Sequence, residues 1–162
     1  MGACGLNDSV GGQTPTSAGS ENGAELRYAF KIEGGNFAAA GSVSTRIKKM
    51  LQQIGVGADT IRRAAVATYE AEMNVVIHAD SGEITLAANP AQIRIIVQDK
   101  GPGIPDVNLA MQPGWSTASD AVREMGFGAG MGLPNIKKCT DAMEIRTEIG
   151  VGTTLEMVFN NG

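Results

Sequence analysis

The sequence predicts an α/β two-layer sandwich, with helices packed on one face of a mixed, mostly antiparallel sheet. Two observations carry this. Strand-like and helix-like segments run strand, helix, helix, strand, strand, glycine loop, helix, strand, strand, which segregates helices and strands into separate layers. The later strands also come in adjacent pairs joined by short turns, without the strict βαβ alternation of a doubly wound fold.

Residues 1–24 are rich in Gly, Ser, Thr, Asn and Pro with few apolar residues, so a flexible tail is expected there. Residues 25–162 are expected to form one domain. From Glu25, LRYAFKI alternates apolar and charged side chains as a half-buried strand does. Gly34, Gly35 and Asn36 end it, and FAAAGSVSTRIKKMLQQIG reads as an amphipathic helix closing at Gly55. A second helix follows, capped by Asp59 or Thr60 and running to about Ala79, with Ile61, Ala65, Tyr69, Met73 and Val76 facing the core. Asp80, Ser81 and Gly82 make a turn. EITLAA and AQIRIIVQD are two strands joined at Asn89 and Pro90. DKGPGIPD is a loop, Asn108 to Glu124 a low-pattern segment expected to be mobile, and LPNIKKCTDAM a short helix that tolerates Pro134 in its first turn. EIRTEIGVGTTLEMVF closes the chain as two strands around a glycine turn.

The chain has 162 residues, 43% of them hydrophobic, enough for one core. Its net charge of −4 speaks against a basic face for nucleic acid or an anionic membrane. No apolar run is long enough to span a bilayer, and no charged-then-apolar leader opens the sequence, so a cytoplasmic location is expected. The two cysteines, Cys4 and Cys139, have no partners at metal-ligand spacing, and no disulfide is expected between them.

The chemistry lies in REMGFGAGMGLPNIKK, where glycines alternate just before a helix start. Bare backbone and free N–H groups at a helix N-terminus suit an anion. A Walker loop needs Gly-Lys, which occurs nowhere in the chain. The dinucleotide fingerprint needs a small third residue, but that place falls on Met131, Leu133 or Asn135. A third arrangement fits. On the second helix, YEAEMNVVIHA sets Glu70 and Asn74 four apart on one face, with His78 continuing the stripe. DKGPGI then brings Asp99, Gly101, Gly103 and Ile104, and GFGAGMGL brings Gly126, Gly128, Ala129, Gly130, Met131, Gly132 and Leu133.

In order and spacing these segments resemble the N box and the two glycine boxes of the GHKL ATPases, the superfamily of gyrase, chaperone, histidine-kinase and mismatch-repair ATP-binding domains. GVGTTLEMVF resembles its last conserved strand, and the likeness covers about Glu25 to Asn160. It implies ATP and Mg²⁺ as ligands. Asn74 is then the metal ligand, a hard oxygen suited to Mg²⁺. Glu70 is the base that accepts a proton from the attacking hydroxyl or water. Asp99 accepts from the adenine amino group, Gly101 and Gly103 make room for the purine, and Thr153 supports Asp99 through its hydroxyl or a water. The Gly126–Gly132 run supplies N–H donors to the phosphates.

The chain is too short for a gyrase, chaperone or mismatch-repair ATPase. It is similar to the anti-sigma-factor serine/threonine kinases, nearest to the switch-kinase branch. That implies transfer of the γ-phosphoryl to a small STAS-domain antagonist, with a sigma factor as a further partner and a homodimer as an allowed state. Two other readings stay open: an ATP-dependent binding module with little turnover, and a detached histidine-kinase catalytic domain acting in trans. Glu72 is read as a surface residue and fallback base. His78 suits a helix-end backbone contact as well as a phosphate contact. Lys137 and Lys138 suit a solvated last turn. Arg123 is a loose candidate for a phosphate contact, and the methionines read as core filler. Trp115 precedes Ser116 and Thr117 in the region matching the family's ATP lid. There Ala118 stands where the family has Lys, and Trp115 suits either a lid pin or a partner contact.

Overall fold

A computed structural model of the chain describes residues 25–116, 118–124 and 131–161, Arg123 by its backbone alone. Among the described residues, five strands form one sheet in the order β1-β2-β3-β5-β4: β1 (Leu26–Glu33), β2 (Ser81–Ala88), β3 (Gln92–Lys100), β4 (Ala142–Glu148) and β5 (Gly152–Asn160). Every neighbouring pair is antiparallel, so the sheet is purely antiparallel rather than mixed. Three longer helices, α1 (Ser42–Gln53), α2 (Ala58–His78) and α5 (Gly132–Cys139), accompany two single-turn helices, α3 (Val107–Ala110) and α4 (Asp120–Glu124).

Alternation along the strands decides which face the helices cover. Phe30, Ile84, Leu86, Ile93, Ile95, Met157 and Phe159 point inward and are almost wholly buried against Ile47, Leu51, Ala64, Ala71, Val75 and Ile136 from the helices. The other face carries Lys31, Glu33, Arg94, Gln98 and Arg146, all exposed. On it Arg94 Nε lies 3.2 Å from Glu156, and Arg146 reaches the same carboxylate at 3.9 Å. Ion pairs this open contribute little to stability.

Several expectations are corrected. The helix read over Phe37–Gly55 is interrupted at Gly41, whose φ of 90° is left-handed. Phe37–Ala39 is a separate 3-10 turn capped by Asn36, and α1 starts only at Ser42. Gly55, at φ 80°, lies just past the end of α1 as the sequence suggested. Neither Asp59 nor Thr60 caps α2, because the residue before it is Gly57. Asp59 sits inside the first turn and pairs with Arg62 and Arg63, while Thr60 Oγ1 donates to the Asn160 carbonyl.

The buried face of α2 is also rotated from the predicted stripe. Ile61, Met73 and Val76 are buried, but Ala65 is half-buried and Tyr69 is 41% exposed. The true stripe runs through Ile61, Ala64, Thr68, Ala71, Glu72 and Val75, because alanines let α1 and α5 approach closely on either side. The turn read at Asp80–Gly82 is shorter, with β2 already begun at Ser81. Helix α5 stops at Cys139, since Asp141 accepts instead from Asn160 N and Arg63. The patternless stretch before Glu124 holds α3, capped by Asp106, and α4.

Candidate functional site

One cavity of about 670 Å³ opens between α2, α5 and the loop that follows β3. Its wall gathers Glu70, Asn74 and His78 from α2, Asp99 from β3, Gly103 and Ile104 from the loop, Gly132 and Leu133 from α5, and Thr153 from β5. Segments far apart in the chain therefore converge on one volume.

Glu70 and Asn74 lie one turn apart on the side of α2 that faces α5. Both point at the first residue of α5. A Cβ at Gly132 would stand 3.1 Å from Asn74 Oδ1 and 3.5 Å from Glu70 Oε2, so only a bare backbone fits there without displacement. Helix α5 begins here without a side-chain cap. Its leading N–H groups are the unsatisfied donors that attract anions. Asn135 Nδ2 donates to Glu70 Oε1 at 3.2 Å, a contact the sequence reading missed.

At the other end, Thr153 N donates to Asp99 Oδ1 at 3.1 Å. This contact comes from the backbone amide and not from the hydroxyl. The Thr153 hydroxyl instead lies 3.0 Å from Thr147 Oγ1, which also receives Ile104 N at 2.8 Å. Thr147 was missed. The cross-strand pairing of Thr147 with Thr153, one step from the Gly150 turn, is the signal that could have found it. Burial raises the Asp99 carboxyl above the ordinary carboxylate range, while the Thr153 and Gly101 amides pull it back down.

Two glycines hold the loop tight. Gly103 has φ 77°, and a Cβ there would meet the Glu148 carbonyl at 2.6 Å. Gly150 N donates to the Pro102 carbonyl at 2.9 Å, pinning the loop to the β4–β5 turn. At Gly101 a Cβ would lie 3.1 Å from Asp99 Oδ1.

Glu72 is not a surface residue. It is 1% exposed, and its two oxygens accept from Val43 N and Ser44 N, each at 3.1 Å. It caps α1 from α2 and is thereby withdrawn as a fallback base. Trp115 and Ser116 are half-buried in the cavity wall beside Ala110. Lys137 and Lys138 are exposed in the last turn of α5, and Met131 is exposed at the cavity rim. Gly126, Gly128, Ala129 and Gly130 lie outside the described residues, as do Thr117, Cys4 and the side chain of Arg123. No described helix is long and apolar enough to cross a membrane.

Comparison with known proteins agrees with this fold. Residues 36–159 match the family model described as a histidine kinase-like ATPase domain. The serine/threonine-protein kinase RsbT of Bacillus subtilis is 28% identical over 115 residues, covering 68% of this chain and 80% of RsbT. An anti-sigma F factor of Caldanaerobacter subterraneus is 30% identical over 138 residues, covering 82% of this chain and 90% of that protein. Among solved structures, the RsbU and RsbW domains of Rv1364c from Mycobacterium tuberculosis share the fold, with a TM-score of 0.52 at 21% identity. That match covers 83% of this chain, which spans only 33% of the mycobacterial one.

Proposed function

This chain belongs to the histidine kinase-like ATPase domain family, and on that footing we propose that it is an ATP-dependent serine/threonine protein kinase of the anti-sigma-factor type. Its acceptor is a hydroxyl on a small STAS-domain regulatory protein. The observation that carries the reading is the meeting of Glu70 and Asn74 at the bare start of α5, in the cavity that also holds Asp99.

In this reading Asp99 accepts from the adenine amino group, with its Oδ1 held by Thr153 N. Gly103 and Ile104 line the purine slot, and Gly101 sits behind it against Asp99. The phosphates run toward α5, whose first N–H groups at Gly132 and Leu133 donate to them, together with that of Met131. Asn74 Oδ1, beside the bare Gly132, would hold a Mg²⁺ ion as a hard-oxygen ligand. That ion, when bound, supplies charge neutralisation on the phosphate oxygens. Glu70 accepts the proton of the incoming seryl or threonyl hydroxyl as its oxygen bonds to the γ-phosphorus and the bond to ADP breaks. Positioned donors and a positioned base supply most of the acceleration in such loose transfers.

Radiolabelled ATP, Mg²⁺ and candidate STAS proteins test the reading directly. Wild type is expected to leave acid-stable label on the acceptor. Glu70→Gln should lose transfer by roughly 100-fold or more while still binding nucleotide, the scale of a lost general base. Asn74→Ala should lose nucleotide binding. No label on any acceptor, with Glu70→Gln equal to wild type, would sink it. Acid-labile label would mark a histidine acceptor instead. The likeness to anti-sigma F factors favours a second role, ATP-dependent holding of a sigma factor. That role predicts complex formation that survives Glu70→Gln and fails in Asn74→Ala.

A further inference from the structure

Asn135 lies two residues past the second glycine box, GFGAGMGL, yet it is bonded to the residue proposed as the base. Its Nδ2 donates to Glu70 Oε1 at 3.2 Å. A carboxylate only accepts, so the amide must present its nitrogen there. The other oxygen, Oε2, is the one that neighbours Gly132. The two oxygens of Glu70 are thus divided, one held by Asn135 and one beside Gly132, which lines the cavity as Glu70 does.

The contact has a definite local cause. Gly132 and Asn135 are three residues apart and share the face of α5 that packs on α2. The bare Gly132 brings that face close. Ile136, fully buried, fixes the rotation of the helix about its axis. At the far end Arg63 Nη1 donates to the Cys139 carbonyl at 2.9 Å, so α2 holds α5 at both ends.

We propose that Asn135 is a positioning residue for phosphoryl transfer, anchoring Glu70 by Oε1 so that Oε2 faces the incoming hydroxyl. This rests on the kinase reading above. A glutamate without the anchor spreads over several rotamers and spends less time in reach of the acceptor. Losing a hydrogen bond to a charged group costs a rate factor of roughly 10 to 100.

The test compares wild type with Asn135→Leu, which keeps the volume and removes the donor, and with Asn135→Ser, which is too short to reach. Five quantities are measured: kcat and KM for acceptor phosphorylation, nucleotide affinity by calorimetry, melting temperature, and the side-chain amide signal of Asn135 by NMR. Both variants should lower kcat by the stated factor with nucleotide affinity and KM for ATP unchanged. Combined with Glu70→Gln, Asn135→Leu should have no further effect, because its influence passes through Glu70. The Asn135 amide signal should move when Glu70 becomes Gln. Wild-type kcat in both variants, or an additive double mutant, overturns the positioning role alone. A fall in nucleotide affinity that tracks the melting temperature in both variants shows a merely structural contact and overturns it as well. An inactive wild type with the amide signal still coupled to Glu70 overturns the kinase reading, and with it any catalytic role for Asn135.

Discussion

In the proposed site, Asp99 is a side chain costly to the empty protein and useful to the loaded one. Burial disfavours its charge and raises its pKa, with only the Thr153 and Gly101 amides in opposition. Between the unfolded value, about 3.9, and the raised folded value, the native state holds more protons than the unfolded one. Wild-type stability therefore falls as pH rises through that window, and the penalty is full above the folded pKa. Asp99→Asn removes the charge while keeping an oxygen for Thr153 N. Without nucleotide, the variant should melt at or above wild type at pH 7, and the difference should shrink as pH is lowered toward 4. Its ATP affinity should fall roughly 10- to 100-fold, the worth of a charge-assisted bond to the adenine amino group. Melting curves across pH with a parallel ATP titration check both halves. A variant less stable at neutral pH and unchanged in affinity would remove Asp99 from the purine slot.

At the scale of elements, α1 depends on α2 for its start. Gly41 offers no side-chain cap, and Glu72 does the work from 28 to 29 residues away, placing a buried carboxylate on the positive end of the α1 dipole. Glu72→Ala leaves two buried N–H donors unmet and should cost about 3 kcal/mol, at about 1–3 kcal/mol for each orphaned group. Glu72→Gln, which keeps one acceptor, should cost about half of that. Urea unfolding measures both, and equal losses would deny the capping role. Spacing alone could not have revealed it. A glutamate beside an apolar stripe reads as surface unless the neighbouring helix and its missing cap are known, and Glu72 differs from Glu70 only in which neighbour it meets. For the same reason Tyr69 was read as core: periodicity finds an apolar arc but not its centre, and the alanines that set the contact carry little hydrophobic signal. Strand pairs were easier, because Asn89–Pro90 and the Gly150 turn join runs of clear alternation, and local pattern fixes antiparallel neighbours. That β5 would pair with β3, placing the last hairpin at the edge beyond it, depended on long-range packing that no local pattern encodes.

For the whole molecule, the candidate site is a junction of elements. Glu70 and Asn74, Asp99 to Ile104, Gly132 to Asn135 and Thr147 to Thr153 come from both layers, and the cavity exists only where they meet. Residue type and order made Glu70, Asn74 and Asp99 legible beforehand. Asn135 and Thr147 were not, because their partners are set by packing rather than spacing. A ligand touching all these segments binds only the folded chain, so its affinity adds to stability by mass action. At a hundred times its dissociation constant, Mg-ATP should add about 2.7 kcal/mol. For a domain of this size that corresponds to a rise in melting temperature on the order of 5–10 °C. Adenosine, which reaches Asp99 without the phosphate end, should give a smaller rise that chelating Mg²⁺ leaves unchanged, whereas chelation should cut the ATP rise. Trp115 is the only tryptophan and sits in the cavity wall, so its emission should change on titration with ATP. A thermal shift equal for adenosine and ATP would mean that α5 and α2 do not grip the phosphates, and a shift with neither would mean that the junction is not a nucleotide site.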